Sequence, residues 1–120
     1  MTEPGQPKQY NLEERTLKFS RDVIEFTNGL KPALANIEIT KQLIRSACSV
    51  GANYIEANES LSKKDFSMRA KICRKEAKES KYWLSLIQAN GDGSENTRLS
   101  LLGEADELTR IFAATVEKSK

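Results

Sequence analysis

The sequence contains no histidine. That single absence removes the commonest general base, the commonest zinc ligand and the usual charge switch near neutral pH. Only two cysteines are present, Cys48 and Cys73, with no histidine to activate either and no metal-ligand partners at zinc spacing. A Ser, His and Asp triad is impossible. Gly91-Asp92-Gly93 is a turn signal and not a phosphate loop. Glu76 and Glu79 stand among Lys75, Lys78 and Lys81, where carboxylates form helical ion pairs more readily than an acid and base couple. The expectation is a protein that is not an enzyme, with no catalytic residues, no cofactor and no metal site.

Other scarcities narrow the setting. Two of the three prolines lie in the first ten residues. No apolar run approaches the roughly 20 residues of a membrane span, and the segment MTEPGQPKQY lacks the basic-then-apolar layout of a signal peptide. These features place the protein in the cytoplasm, with no membrane partner. In that reducing compartment the two cysteines are expected to be free thiols on apolar helical stripes. Aromatics make up 7% of the residues and charged side chains 30%, a balance that suits helices with solvated outer faces.

What is present is a helical rhythm. Leu43, Ala47, Val50, Tyr54, Ala57 and Leu61 recur in alternating steps of four and three, and Phe66, Ala70, Cys73, Ala77, Ser80, Leu84 and Ile87 repeat the pattern. That is the heptad spacing of helices packed nearly parallel or antiparallel. Ile44, Cys48, Gly51 and Ile55 add a second stripe, so the face is wide enough to need more than one partner helix. Leu12, Thr16, Phe19, Val23, Phe26 and Leu30 carry the same rhythm before it, and Leu101, Ala105, Leu108, Phe112 and Thr115 after it. Gly51 costs about 1 kcal/mol relative to alanine inside a helix. It therefore marks a close approach, for which the rings of Trp83 and Tyr54 are candidates.

Punctuation sets the boundaries. Residues 1–10 read as a disordered tail. Asn11 with Glu14 makes a capping pair, Asn28-Gly29 with Pro32 a stop, Ser62 with Asp65 a second cap, and Ser94 after the glycine pair a third. The spacing predicts helices over about 11–28, 36–58, 62–90 and 94–118, one domain spanning 11–118. Short connections force antiparallel neighbours, so the fold is all-α, an up-down-up-down four-helix bundle. A longer coiled-coil assembly is the rival, which the capped breaks oppose.

Level positions follow from the hairpin between the second and third helices. With a turn near residue 60, residues whose numbers sum to about 121 face one another. Arg45 then meets Glu76, and together with Asn53 and Glu56 forms a polar flank that sets the interhelical register. Cys48 faces Cys73, but a disulfide needs Cα atoms within about 7 Å and helix axes stand about 8 to 10 Å apart.

Charge is unevenly spread. The net charge is +2. Residues 63–81 carry eight basic side chains against three acidic ones, a local +5, and subtracting this from +2 leaves −3 for the rest. Lys71, Arg74, Lys75, Lys78 and Lys81 form an outer stripe suited to phosphate contact. The alternative is an ordinary solvated face balanced by acids of the fourth helix. No base-stacking aromatic stands among these five residues.

The run from Lys41 to Ile87, with Q-L-I-R-S, S-V-G-A-N-Y-x-E-A, S-K-K-D-F and K-E-A-K-E-S-x-Y-W-L, resembles the four-helix bundle proteins encoded in 23S rRNA intervening sequences. The likeness extends over most of residues 12–117, in spacing more than identity outside the hairpin. It implies a left-handed bundle assembled as a homopentamer in a bacterial cell, with no enzymatic activity. It also implies a role related to the accessory proteins of diversity-generating retroelements, which look like nucleic-acid-binding partners of a reverse transcriptase. Two readings follow. One is a pentameric accessory protein that binds RNA or DNA; the other is a structural scaffold that engages a protein partner instead.

Overall fold

The computed structural model describes residues 11–89 and 91–120, without the side chain of Asp92. The tail expected over 1–10 lies outside the described residues, and the third helix, expected to run to about residue 90, ends earlier at Leu86, where Asn36 takes the Gln88 backbone. Four helices follow one another: α1 (Leu12–Asn28), α2 (Leu34–Asn58), α3 (Lys63–Leu86) and α4 (Asp92–Lys118). Each packs on the next in the chain, and α4 returns to α1 along a thinner seam. Sequential neighbours joined by short connections make an up-down-up-down four-helix bundle. The diagonal pair α2 and α4 approach through core side chains, with Tyr54 tilted on Phe112 at 5.6 Å between ring centroids.

The apolar rhythm becomes the core. Phe19, Val23 and Phe26 of α1, Leu43, Ala47 and Val50 of α2, Cys73, Ala77 and Leu84 of α3, and Ala105, Leu108 and Phe112 of α4 are buried together. Some positions of the predicted stripes depart from it: Phe66 is only half-buried and Ile55 is exposed. Leu61 is fully exposed, because α2 stops at Asn58 and the repeat has no helix to carry it. Thr115 is half-buried and Val116 takes the core place beyond Phe112. The steps from Leu101 average nearer 3.6 than 3.5, as in a straight helix.

Helix ends show which polar groups are spent where. Asn11 Oδ1 accepts the Glu14 amide at 2.8 Å, and Ser62 Oγ accepts the Asp65 amide at 3.1 Å, so α1 and α3 satisfy amides that a bare terminus leaves open. α2 begins at Leu34 and not at Asn36, from an N-cap Ala33 whose side chain makes no cap bond. Asn36 is occupied elsewhere. Its Nδ2 donates to the Gln88 carbonyl at 2.8 Å and its Oδ1 accepts the Gln88 amide at 3.0 Å. A buried α2 side chain thus ties down the chain just after α3, which ends at Leu86. α4 begins at Asp92 and not at Ser94, after Gly91 with φ 103°, a conformation that only glycine adopts cheaply.

Gly51 does mark a close approach, but neither Trp83 nor Tyr54 supplies it. A Cβ there would meet Thr16 of α1 at 3.1 Å from Oγ1 and 3.4 Å from Cβ. One turn along, Ser20 Oγ donates to the Ala47 carbonyl at 3.1 Å. On the thin α1–α4 seam Arg15 forks onto Glu104, Nε and Nη2 each at 2.8 Å, with Nη2 also 2.8 Å from Glu107. Two acids of α4 are thereby turned toward α1 and away from α3.

Candidate nucleic-acid interface

The stripe on α3 divides by partner. Lys81 Nζ reaches Asp106 Oδ1 of α4 at 2.8 Å, and Arg110 Nε reaches Asp106 Oδ2 at 3.0 Å. The Lys81 hydrogen bond, with help from Arg110, holds the Asp106 carboxyl below the usual range. Arg74 is half-buried and lends a weak field to Glu117, a carboxylate lowered mainly by its bond to Lys120. Lys71, Lys75 and Lys78 are exposed, and among the described residues no ion pair reaches them. Glu76 and Glu79 belong to the other side of α3, where Arg45 takes both.

Between α3 and α4 runs an open groove of about 660 Å³, lined by Arg74, Lys78, Lys81, Tyr82 and Ser85 from α3 and by Asp106 and Thr109 from α4. Lys71 and Lys75 lie outside its lining, on the same outer face by helical spacing. The stripe also runs one step further than its basic residues suggest. Lys71, Lys75, Lys78 and Tyr82 follow in steps of four, three and four, so the missing aromatic is present at the end of the row. Tyr82 is 57% exposed. Trp83 stands edge-on to it at 5.1 Å between centroids and 68° between planes, and Trp83 Nε1 is itself bonded to Glu79 Oε1 at 3.1 Å.

On the α2–α3 flank, Arg45 Nη1 lies 3.1 Å from Glu76 Oε2, and Nη2 binds Glu79. Arg69 Nη1 donates to Asn53 Oδ1 at 3.0 Å, while Asn53 Nδ2 holds the Ser49 carbonyl at 2.9 Å. Glu56 does not join them: it is exposed, and no ion pair to it occurs among the described residues. By the level-number rule it faces another acid, Asp65, and the cation nearby in sequence register, Arg69, is engaged by Asn53. Deeper in the same interface Ser46 and Ser80 share a hydrogen bond at 2.9 Å, both fully buried. Spacing placed Ser80 on the apolar stripe but gave no sign of its partner.

Both cysteines are free. Cys73 is a core thiol whose Sγ donates to the Val50 carbonyl at 3.5 Å. Burial pushes it up to about 12. Cys48 is only half-buried, because its stripe with Ile44 and Ile55 lies on the outer edge of α2 beside α1. No cluster of three metal-ligating side chains occurs among the described residues, and no helix there is long and apolar enough to cross a membrane.

The profile of the 23S rRNA-intervening sequence protein family matches residues 8–114. The chain belongs to that family. Comparison with curated proteins finds no match. Among solved structures, a protein of unknown function of the S23 ribosomal protein family from Bacteroides thetaiotaomicron is similar at 25% identity, with a TM-score of 0.72 over 88% of this chain and 98% of its own. The family match includes all of α3 and the groove-lining part of α4. Neither the family description nor that of the solved relative names an enzymatic activity.

For this 23S rRNA-intervening sequence protein, sequence spacing located the five basic residues but not their sorting. Asp106 and Tyr82 decide that sorting, and each carried a usable signal. Tyr82 continues the four–three row, and Asp106 stands four residues before Arg110.

Proposed function

We propose that this family member is a non-enzymatic nucleic-acid-binding accessory protein of the bacterial cytoplasm, working as a homo-oligomer. The observation that carries the reading is the row Lys71, Lys75 and Lys78, three exposed ammonium groups that the acids of α4 do not neutralise. Glu104 and Glu107 are held by Arg15, and Asp106 by Lys81 and Arg110. Compact lysine charges without carboxylate partners suit phosphate, and each phosphate neutralised releases counterions. Arg45, Asn53 and Glu76 are assigned a register role between α2 and α3, apart from this surface.

Oligomerisation is supported by a separate surface. Leu17 and Ile24 of α1 and Ile37 and Ile55 of α2 are between 39% and 53% exposed. Thr16 over Gly51 and Ser20 at Ala47 set these two helices antiparallel, which puts Leu17 and Ile24 beside the Ile44, Cys48 and Ile55 stripe. A continuous apolar strip of this kind is what a self-complementary or ring interface covers. In the ring order of the helices the α1–α2 side lies opposite the α3–α4 groove, so assembly there leaves the basic face open. The count of five rests on the family resemblance.

The same apolar strip favours the second reading, a scaffold that engages a protein. Titrating the protein with structured RNA and duplex DNA across a salt series separates the two. Phosphate binding falls steeply with salt and disappears on reversing Lys71, Lys75 and Lys78 to glutamate. Failure to bind any nucleic acid at low salt leaves the scaffold.

A further inference from the structure

We propose that the α3–α4 groove takes single-stranded nucleic acid, with one unpaired base stacked on the ring of Tyr82 and the adjoining phosphates on Lys78 and Arg74. The inference rests on the nucleic-acid reading above and names the form of the ligand.

Three observations carry it. Tyr82 is a large aromatic left 57% exposed at the mouth of a groove of about 660 Å³ whose other α3 residues are Arg74, Lys78, Lys81 and Ser85. An exposed tyrosine alone means little; one placed among cations in a concave site offers a base a π-face and its phosphate a charge together. The ring is also held in place. Trp83 packs edge-on against it at 5.1 Å and is anchored through Nε1 to Glu79. A pre-positioned ring loses little freedom when a base stacks on it. Finally, the cations form a row along the α3 axis that leads to the ring. Lys78 precedes Tyr82 by one helical turn, about 6 Å, and Lys71 precedes it by about 16 Å at 1.5 Å per residue.

Duplex nucleic acid uses only half of this arrangement. Its phosphates can reach the lysines, but its bases are stacked inside and present no face to Tyr82. An acidic peptide likewise answers the charges and leaves the ring idle. The aromatic therefore selects among polyanions, where the lysines do not.

The test is fluorescence anisotropy on the full chain with a short labelled RNA strand, the same strand annealed to its complement, and a poly-glutamate peptide. Wild type, Tyr82→Ala, Tyr82→Phe and Lys78→Glu are compared. Tyr82→Ala is expected to weaken the single strand about ten-fold and to leave duplex and peptide unmoved; Tyr82→Phe keeps the ring and the affinity. Lys78→Glu weakens all three. Trp83, the single tryptophan, gives a second readout: its emission changes on adding the single strand to wild type and to Tyr82→Phe, but not to Tyr82→Ala. Salt-sensitive binding that is indifferent to Tyr82→Ala, or that is as tight for duplex or peptide as for the strand, overturns the inference and leaves the nucleic-acid reading standing. Absence of all nucleic-acid binding at low salt overturns both.

Discussion

The guanidinium of Arg45 stands half in water, while the carboxylate it holds on Glu76 belongs to a residue only 6% exposed. Removing the arginine leaves a buried acid with no cation. Arg45→Ala is therefore expected to lower stability by about 1 to 2 kcal/mol, read as a shift in the urea midpoint, whereas Glu56→Ala, at a position without a partner, changes nothing measurable. A stability loss as large at Glu56 as at Arg45 would show that the flank is not organised around Glu76. Cys73 makes a pH-dependent contribution of known sign. Burial raises its thiol from 9.0 to about 12 in the folded protein, so between those values the unfolded chain gives up a proton that the native state keeps. Stability from this residue is full below pH 9 and falls as pH rises toward 12. The advantage of wild type over Cys73→Ala should shrink across that window, and a constant difference would contradict the assignment. Asp106 bears on function in the opposite sense to the lysines. Its carboxylate holds Lys81 and Arg110, and Asp106→Asn is expected to release Lys81 into the groove and tighten oligonucleotide binding by up to about five-fold.

At the scale of the helices, close approach and end-tying do what the heptad rhythm cannot. Gly51 lets α1 settle against α2 at Thr16, and Thr16 has no room to retreat because it is 1% exposed and its Oγ1 is bonded to the Leu12 carbonyl at 2.8 Å. A large residue must push the helices apart. Gly51→Leu is expected to cost about 1 to 3 kcal/mol, measured by thermal unfolding, despite its better helix propensity; an unchanged melting temperature would mean that α1 is not seated there. At the other end of the bundle, the hold of α2 on the chain leaving α3 depends on Asn36. Its amide both donates to and accepts from Gln88, a pairing that aspartate copies only as acceptor. Asn36→Asp and Asn36→Ala should each destabilise by about 1 to 2 kcal/mol.

For the molecule as a whole, the cyclic order of helices separates two surfaces. The apolar strip of Leu17, Ile24, Ile44 and Ile55 follows the α1–α2 seam, and the basic row with Tyr82 follows α3 beside α4. Placing a charge in the strip, as in Leu17→Glu with Ile55→Glu, both about half exposed, is expected to reduce the solution mass toward that of one chain, 13.5 kDa, without changing the circular dichroism. A wild-type mass already equal to one chain would remove the oligomer. Binding on the other face should show a slope of log affinity against log salt near −2 for a single strand that neutralises about three phosphates per chain. Reversing Lys71, Lys75 and Lys78 should flatten it. Independence of the two faces is a further expectation, with each set of substitutions affecting its own measurement.

The bundle itself was legible in the residues. A heptad rhythm three times interrupted by capping side chains and glycines leaves one economical way to hide its apolar stripes, and the level-number rule for the hairpin brought Arg45 to Glu76 because helix rise is nearly constant. The basic row on α3 was legible for the same reason. What tertiary structure alone decided was partnership. Asn36 looked like a helix start until the end of α3 arrived beside it, and Gly51 looked like a seat for a ring until Thr16 filled it. The acids of α4 looked like a counterweight to the lysines until Arg15, from the far end of the chain, drew Glu104 and Glu107 away. Periodicity determines which face of a helix turns inward. Which distant side chain stands opposite a given one depends on the registers of several helices packed at once, and local sequence carries that information only jointly.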